Sequence, residues 1–230
     1  MSQPSLSVVM PAFNEEGTIC EVLRRVRAVP VVTQIVVVDD CSTDSTGAIL
    51  WKQFGDDPAI VVKRHGTNQG KGAAILTGLR HADGDVVVIQ DADLEYEPEQ
   101  FADLLGLMVR ENATVVYGSR FRGSVRGMRL PNLLANKILT FLANVLFGAR
   151  ITDEATCYKM FRREVLAGLP LRARRFDFCP EVTAKVRKRG HVIREVPIRY
   201  QARSNADGKK IRWTDGLSAI WALIKYRFVD

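Results

Sequence analysis

Short runs of β-branched and apolar residues recur along the first half of the chain: LSVVM (6–10), QIVVVDD (34–40), AIVVKRH (59–65) and DVVVIQ (85–90). Each is too short for a helix, and the stretches between them carry apolar residues at helical spacing, as at Ile19, Val22, Leu23 and Val26. That alternation is the signature of βα units, which bury their strands in a mostly parallel sheet with helices on its faces. Ser42 to Asp44 offer capping side chains for a helix in STDSTGAILWKQF. The third run leads through the loop GTNQGKG into a helix over 73–81, and the fourth into a helix over 98–111. A fifth strand, ATVVYGS, follows at 113–119.

The second half is patterned differently. Residues 120–132 are rich in Arg, Gly and Ser and read as loop, 133–147 as a helix with an apolar face, and 180–189 as a basic helix. HVIREVPIRYQ (191–201) alternates as a strand, and ARSNADGKKIRW (202–213) has neither period. A last helix over 215–228 sets Leu217, Ile220, Trp221, Ile224 and Phe228 on one face, with Lys225 and Arg227 on another. With no repeat or linker, 230 residues make one α/β domain, its halves falling at about 1–120 and 121–230.

The net charge of +7 favours partners that carry phosphate or an anionic membrane surface. Cys20, Cys41, Cys157 and Cys179 are scattered without metal-ligand or disulfide-framework spacing, and are expected to be reduced thiols in a cytosolic protein. MSQPSLSVVMP enters a strand pattern without a secretory signal. No membrane span is expected, because the longest apolar stretch, Leu133 to Gly148, is interrupted by Asn136, Lys137 and Asn144.

The fourth run ends in DADLE, which crowds Asp91, Asp93 and Glu95 at the mouth of a buried strand. Ligands of open α/β sheets bind at the carboxyl ends of strands. Hard oxygen ligands gathered there suit a divalent cation whose shell a substrate's phosphates complete; acidic residues also cap helix N-termini, so the triplet alone leaves both readings open. Three strands, however, deliver Asn14/Glu15, Asp39/Asp40 and Asp91/Asp93 to one edge. There Asp39 or Asp40 can accept hydrogen bonds from a ribose or base, while the backbone at Pro11 and Ala12 edges the base.

In this order and spacing, SVVMPAFNEE, VVVDDCSTDST, GKGAAILTGL, GDVVVIQDADLEYEPE and VVYGSRF resemble the inverting family 2 glycosyltransferases of GT-A fold. ITDEATCYKMFRREVL, FDFCPEVTAKVRKRG, IREVPIRY and R-x-x-x-x-G-K-K resemble the dolichol-phosphate mannosyltransferase and polyprenyl-phosphate glycosyltransferase branch. The resemblance runs over about residues 5–228. It implies a Rossmann-like sheet with C-terminal amphipathic helices, and transfer of a hexose from a GDP- or UDP-sugar to a polyprenyl phosphate at a membrane's cytosolic face. Pro11, Ala12, Asn14, Glu15, Asp39, Asp40 and Ala92 would then hold the donor. Asp91, Asp93 and Glu95 would hold Mg²⁺ or Mn²⁺, Glu95 departing from the Gln common at that position in the mannosyltransferases. Arg120 and Arg203 would orient the two phosphates, with Asp93 essential to catalysis and Lys209 or Lys210 reaching the substrate. The family's second basic position falls on Asn132, with Arg126 or Arg129 as substitutes.

The chemistry of the acceptor points the same way. A sugar hydroxyl needs a general base, for which Asp153 is the best candidate. A phosphate monoester, with a second pKa of about 6, is already a nucleophile and needs cations instead. Lys71 in QGKGAAI could reach a phosphate through a Gly-rich loop but lacks the P-loop spacing. His65, His81 and His191 form no ligand set, and KKIRW lacks the Gln of the polysaccharide-synthase signature, so Trp213 is expected to pack or touch membrane. A haloacid dehalogenase phosphatase puts its D-x-D after the first strand, and a receiver domain is half this length. A hydroxyl acceptor and a non-catalytic nucleotide or lipid binder remain as the other readings.

Overall fold

The computed structural model describes residues 3–203 and 213–229. The strands are β1 (Leu6–Ala12), β2 (Val32–Asp39), β3 (Ile60–Arg64), β4 (Val86–Ile89), β5 (Val115–Arg126), β6 (Lys159–Arg162) and β7 (Ile193–Gln201). They form one sheet in the order β3-β2-β1-β4-β6-β5-β7, parallel except that β6 runs against both β4 and β5. Every residue of β1 and of β4 is buried, as the unbroken apolar runs require of strands covered on both faces. The helices are α1 (Ile19–Arg27), α2 (Thr46–Phe54), α3 (Lys71–Leu79), α4 (Phe101–Arg110), α5 (Leu130–Phe147), α6 (Arg163–Ala167), α7 (Phe178–Lys188) and α8 (Trp213–Phe228). In α1 the expected stripe of Ile19, Val22, Leu23 and Val26 is the buried face.

Strand β6 was not legible in the sequence, and its antiparallel course matters most for the site. Because β6 begins where β4 ends, the residues leading into it lie beside the acidic rim: Tyr158 OH donates to Gln90 Oε1 at 2.8 Å, and Cys157 N to Tyr96 OH at 3.1 Å. β5 and β7 run the same way as β4, so Arg120 and Tyr200 come toward that rim as well.

Two boundaries correct the sequence reading. The Arg-, Gly- and Ser-rich stretch expected to be loop from 120 continues β5 to Arg126, with an irregularity between Ser119 and Ser124, because the ladder to β7 uses backbone groups whatever the side chains. Helix α5 begins at Leu130 rather than 133, with Pro131 in its first turn where the missing N–H costs nothing. Counted from there, its 18 residues with mean hydropathy 1.3 are long and apolar enough to cross a membrane, contrary to the expectation that no stretch is; only 17% of them are buried.

Candidate active site

The rim is held together by ion pairs between strands. Asp91 pairs with Lys71 at 2.5 Å. Asp93 accepts the N–H of Glu95 at 3.1 Å on one oxygen and an Nη of Arg203 at 2.8 Å on the other. The same guanidinium makes a two-pronged pair with Glu15, at 2.9 and 3.1 Å. Glu95 accepts the Tyr200 hydroxyl at 2.7 Å and the Arg203 N–H at 2.8 Å, so it fixes where Arg203 leaves the sheet. Burial first, and then the charges of Asp91 and Glu95, push the Asp93 carboxyl up to about 7 against the opposing pull of Arg203.

Deeper in, Arg120 and Asp153 are both buried and joined by two side-chain bonds of 2.7 and 2.8 Å, with a third from the Arg120 N–H at 2.9 Å. The guanidinium also stands 5.0 Å from the Tyr200 ring centre. A cavity of about 370 Å³ opens from this point, lined by Lys71, Asp91, Arg120 and Arg175 and by apolar residues that include Met128, Leu139 and Ala219. Arg175 was not legible in advance, because it sits in the irregular segment before α7.

A family model for glycosyl transferase family 2 matches residues 7–169. The chain belongs to this family. The low-salt glycan biosynthesis hexosyltransferase Agl6 of Haloferax volcanii is 32% identical over 99% of this chain, which spans about half, 54%, of that relative's length. The UDP-N-acetylglucosamine–dolichyl-phosphate N-acetylglucosaminyltransferase of Methanococcus voltae is 28% identical, over 92% of each chain. An undecaprenyl-phosphate mannosyltransferase of Micrococcus luteus is also 28% identical, over 95% of this chain and 97% of its own. The crystal structure of glucosyl-3-phosphoglycerate synthase from Mycobacterium tuberculosis with uridine diphosphate superimposes with a TM-score of 0.76 over 99% of this chain and 81% of its own. At 23% identity that likeness establishes the GT-A fold alone. The same synthase has been crystallised with Mn²⁺ and with Mg²⁺.

In this glycosyltransferase the expected donor residues take two kinds of position. Pro11 and Ala12 are buried at the end of β1, and Asn14, with φ 52°, exchanges hydrogen bonds with Thr43. Asp39 holds the Ser42 N–H at 2.9 Å on one oxygen; its other oxygen is buried with no hydrogen-bond partner, having only the Arg64 Nε at 3.3 Å. Asp40 is committed within the fold, to His65 Nδ1 at 2.6 Å and to the N–H groups of Gln69 and Gly70 at 2.9 and 2.7 Å. His65 is thus a satisfied core residue, its other nitrogen on Thr77.

The backbone N–H groups of the glycine-rich loop are committed within the fold. The N–H groups of Gly72 and Ala73 are taken by the carbonyls of Arg175 and Arg174. Gly70, at φ +96°, and Gly72 lie so close to that segment that a Cβ on either would collide with its backbone. Lys71 reaches Asp91 instead. Lys209 and Lys210 lie outside the described residues.

The expected ligand triplet is not brought to one point. Among the described residues no three acidic, His or Cys side chains converge as a metal site, because Glu95 is spent on Tyr200 and Arg203. Asp91 and Asp93 do fit a hard divalent cation by donor type.

Proposed function

We propose that this glycosyltransferase moves a hexose, mannose or glucose, from a GDP- or UDP-sugar to a polyprenyl phosphate of dolichyl type. It inverts the anomeric centre and works at the cytosolic face of a membrane with which it associates peripherally. The observation that carries this reading is the Arg120–Asp153 pair. Asp153, the best base candidate for a hydroxyl acceptor, is wholly buried with both oxygens on Arg120, which leaves it no lone pair placed for proton abstraction. The cavity beside it is lined both by Lys71 and Arg175 and by apolar side chains such as Met128 and Leu139, a mixture that suits a phosphate with a hydrocarbon tail. Two relatives named for dolichyl and undecaprenyl phosphate acceptors support the same choice.

An acceptor phosphate oxygen attacks the anomeric carbon opposite the leaving diphosphate; the new C–O bond forms as the old one breaks, and no proton has to move. Arg203 and Arg120 lower the repulsion between the two anions, and the side chain of Glu95 holds the Arg203 backbone in place. Asp91 and Asp93 would hold Mg²⁺ or Mn²⁺, whose charge stabilises a leaving diphosphate. Asp39 and the β1 end would face the nucleoside, the Asp39 oxygen beside Arg64 having no hydrogen-bond partner of its own.

The test is an assay of purified protein with labelled GDP- and UDP-sugars, Mn²⁺, and either polyprenyl phosphate or a panel of sugar hydroxyls. Transfer to the lipid phosphate, abolished in Asp93→Ala, is expected. Transfer to hydroxyls alone overturns the acceptor, and donor binding with neither transfer nor hydrolysis makes the protein a binder.

A further inference from the structure

Helix α7 carries an acid and a base that the transfer reaction does not use. Glu181 and Lys185, one turn apart, are both wholly buried and pair at 2.7 Å. Glu181 accepts the Arg172 N–H on its two oxygens, at 2.9 and 3.0 Å, and Lys185 Nζ donates to the Pro170 carbonyl at 2.6 Å. Tyr226 of α8, itself buried, hydrogen-bonds Glu181 through its hydroxyl, and the ammonium of Lys185 stands 4.7 Å from the centre of its ring.

What the pair holds is the irregular strap between α6 and α7, residues 168–177. The pair grips its backbone at Pro170 and Arg172. Asp177 grips it further on, Oδ1 accepting the N–H groups of Arg174 and Arg175 at 3.1 and 2.7 Å. The carbonyls of the same two arginines meet the first turn of α3, where they take the N–H groups of Ala73 and Gly72 at 3.0 and 2.9 Å. The strap is thus fastened to the helix that begins at Lys71, the partner of Asp91, and it brings Arg175 and Phe176 to the cavity wall.

We propose that Glu181 and Lys185 are positioning residues: the buried pair fixes the course of the strap and thereby holds Arg175 at the cavity for the phosphate of the acceptor. A buried ion pair is a poor way to gain stability, because apolar side chains of similar volume often serve as well or better. What it supplies and they cannot is direction. One ammonium and one carboxylate seize a carbonyl and an N–H two residues apart, which sets the register of the strap on α7. Neither residue is among those that line the cavity, so the pair acts through Arg175 and not on the ligand. The inference rests on the reading above in taking a phosphate as the partner of Arg175.

The test replaces the pair by apolar side chains of similar size, E181L/K185M, and measures melting temperature, amide exchange and transfer to polyprenyl phosphate. The melting temperature is expected to stay close to that of wild type. The amides of Arg172, Gly72 and Ala73 should exchange about tenfold faster or more, as for a locally released segment. KM for the lipid phosphate should rise about fivefold or more while kcat stays within about twofold, the mark of lost ground-state binding. Arg175→Ala should raise KM by a similar factor and the triple variant no further, because residues that act as one unit are not additive.

Wild-type KM in a stable double variant, or an Arg175→Ala effect that multiplies with it, overturns the proposal. Should the double variant fail to fold, Lys185→Met takes its place: it frees Pro170 alone, and the stranded Glu181 can take up a proton. Faster exchange at Gly72 and Ala73 with a raised KM is expected there too, and wild-type values overturn the proposal. Exchange is read without substrate. A wild type that transfers nothing to lipid phosphate therefore removes the proposed acceptor and leaves the strap to be judged by exchange alone.

Discussion

Arg203 and Asp93 stand 2.8 Å apart although 110 residues of chain separate them, and the same guanidinium holds Glu15 at the end of β1. One cation at the foot of β7 therefore ties two strand ends of the donor half to the segment that leads into α8. It occupies the acidic rim where a donor diphosphate would bring charge of the opposite sign.

Arg203→Ala leaves two partly buried carboxylates without their common partner. Denaturant unfolding is expected to show a loss of roughly 1–3 kcal/mol, the usual cost of stranding hydrogen-bonded charges. Transfer should fall by about 10² or more, as for loss of a charge-stabilising donor. Arg203→Lys should recover stability better than rate, since an ammonium cannot repeat the two-pronged contact with Glu15.

Asp93 gives the metal-free protein a pH signature. Its carboxyl is raised from the ordinary aspartate value of 3.8 to about 7, so the folded state holds the proton more tightly than the unfolded chain does. The resulting stability is fully present below about 4 and is lost as pH rises through 7. The melting temperature of wild type relative to Asp93→Asn should therefore decline across that window, and Mn²⁺ should oppose the decline above pH 7. A flat difference refutes the assignment.

Asp153→Asn distinguishes a locking residue from a base. As the partner of a buried arginine, it should cost about 3–5 kcal/mol of stability when its charge is removed. A base would instead lose rate while the melting temperature stayed unchanged.

Gly72→Ala sets helix propensity against packing. Alanine gains about 1 kcal/mol in a helix interior, but its Cβ would fall 2.9 Å from backbone atoms of Ala173, Arg174 and Arg175, an overpacking worth typically 1–3 kcal/mol. Net destabilisation is expected by calorimetry, with weaker acceptor binding as Arg175 shifts from the cavity wall.

Much of this was legible because it is periodic or local. The buried runs announce β1, β2 and β4, and their parallel course carries Glu15, Asp39 and Asp91 to one edge whatever the details of packing. β6 escaped because KMFR, as short as β4, has charged residues at both ends in place of an unbroken apolar run. The pairing of Arg120 with Asp153 spans 33 residues and depends on that unseen strand. Composition misled at 120–126, where polar side chains hide a backbone ladder; at the glycine loop, read as the passage from strand to helix, glycine serves a close approach of two backbones.

The reversed strand β6 also decides how the molecule must assemble. The edge of β4 that it covers, at Val86, Val87 and Val88, is supplied by residues about seventy positions later, and β6 in turn is sandwiched by β5. A polypeptide ended shortly after Arg120 would have its nucleotide-facing strands in hand yet bare an apolar, untwinned β4 to neighbouring molecules. The half that ends near Arg120 is thus expected to need a strand from the other half to cover its sheet edge.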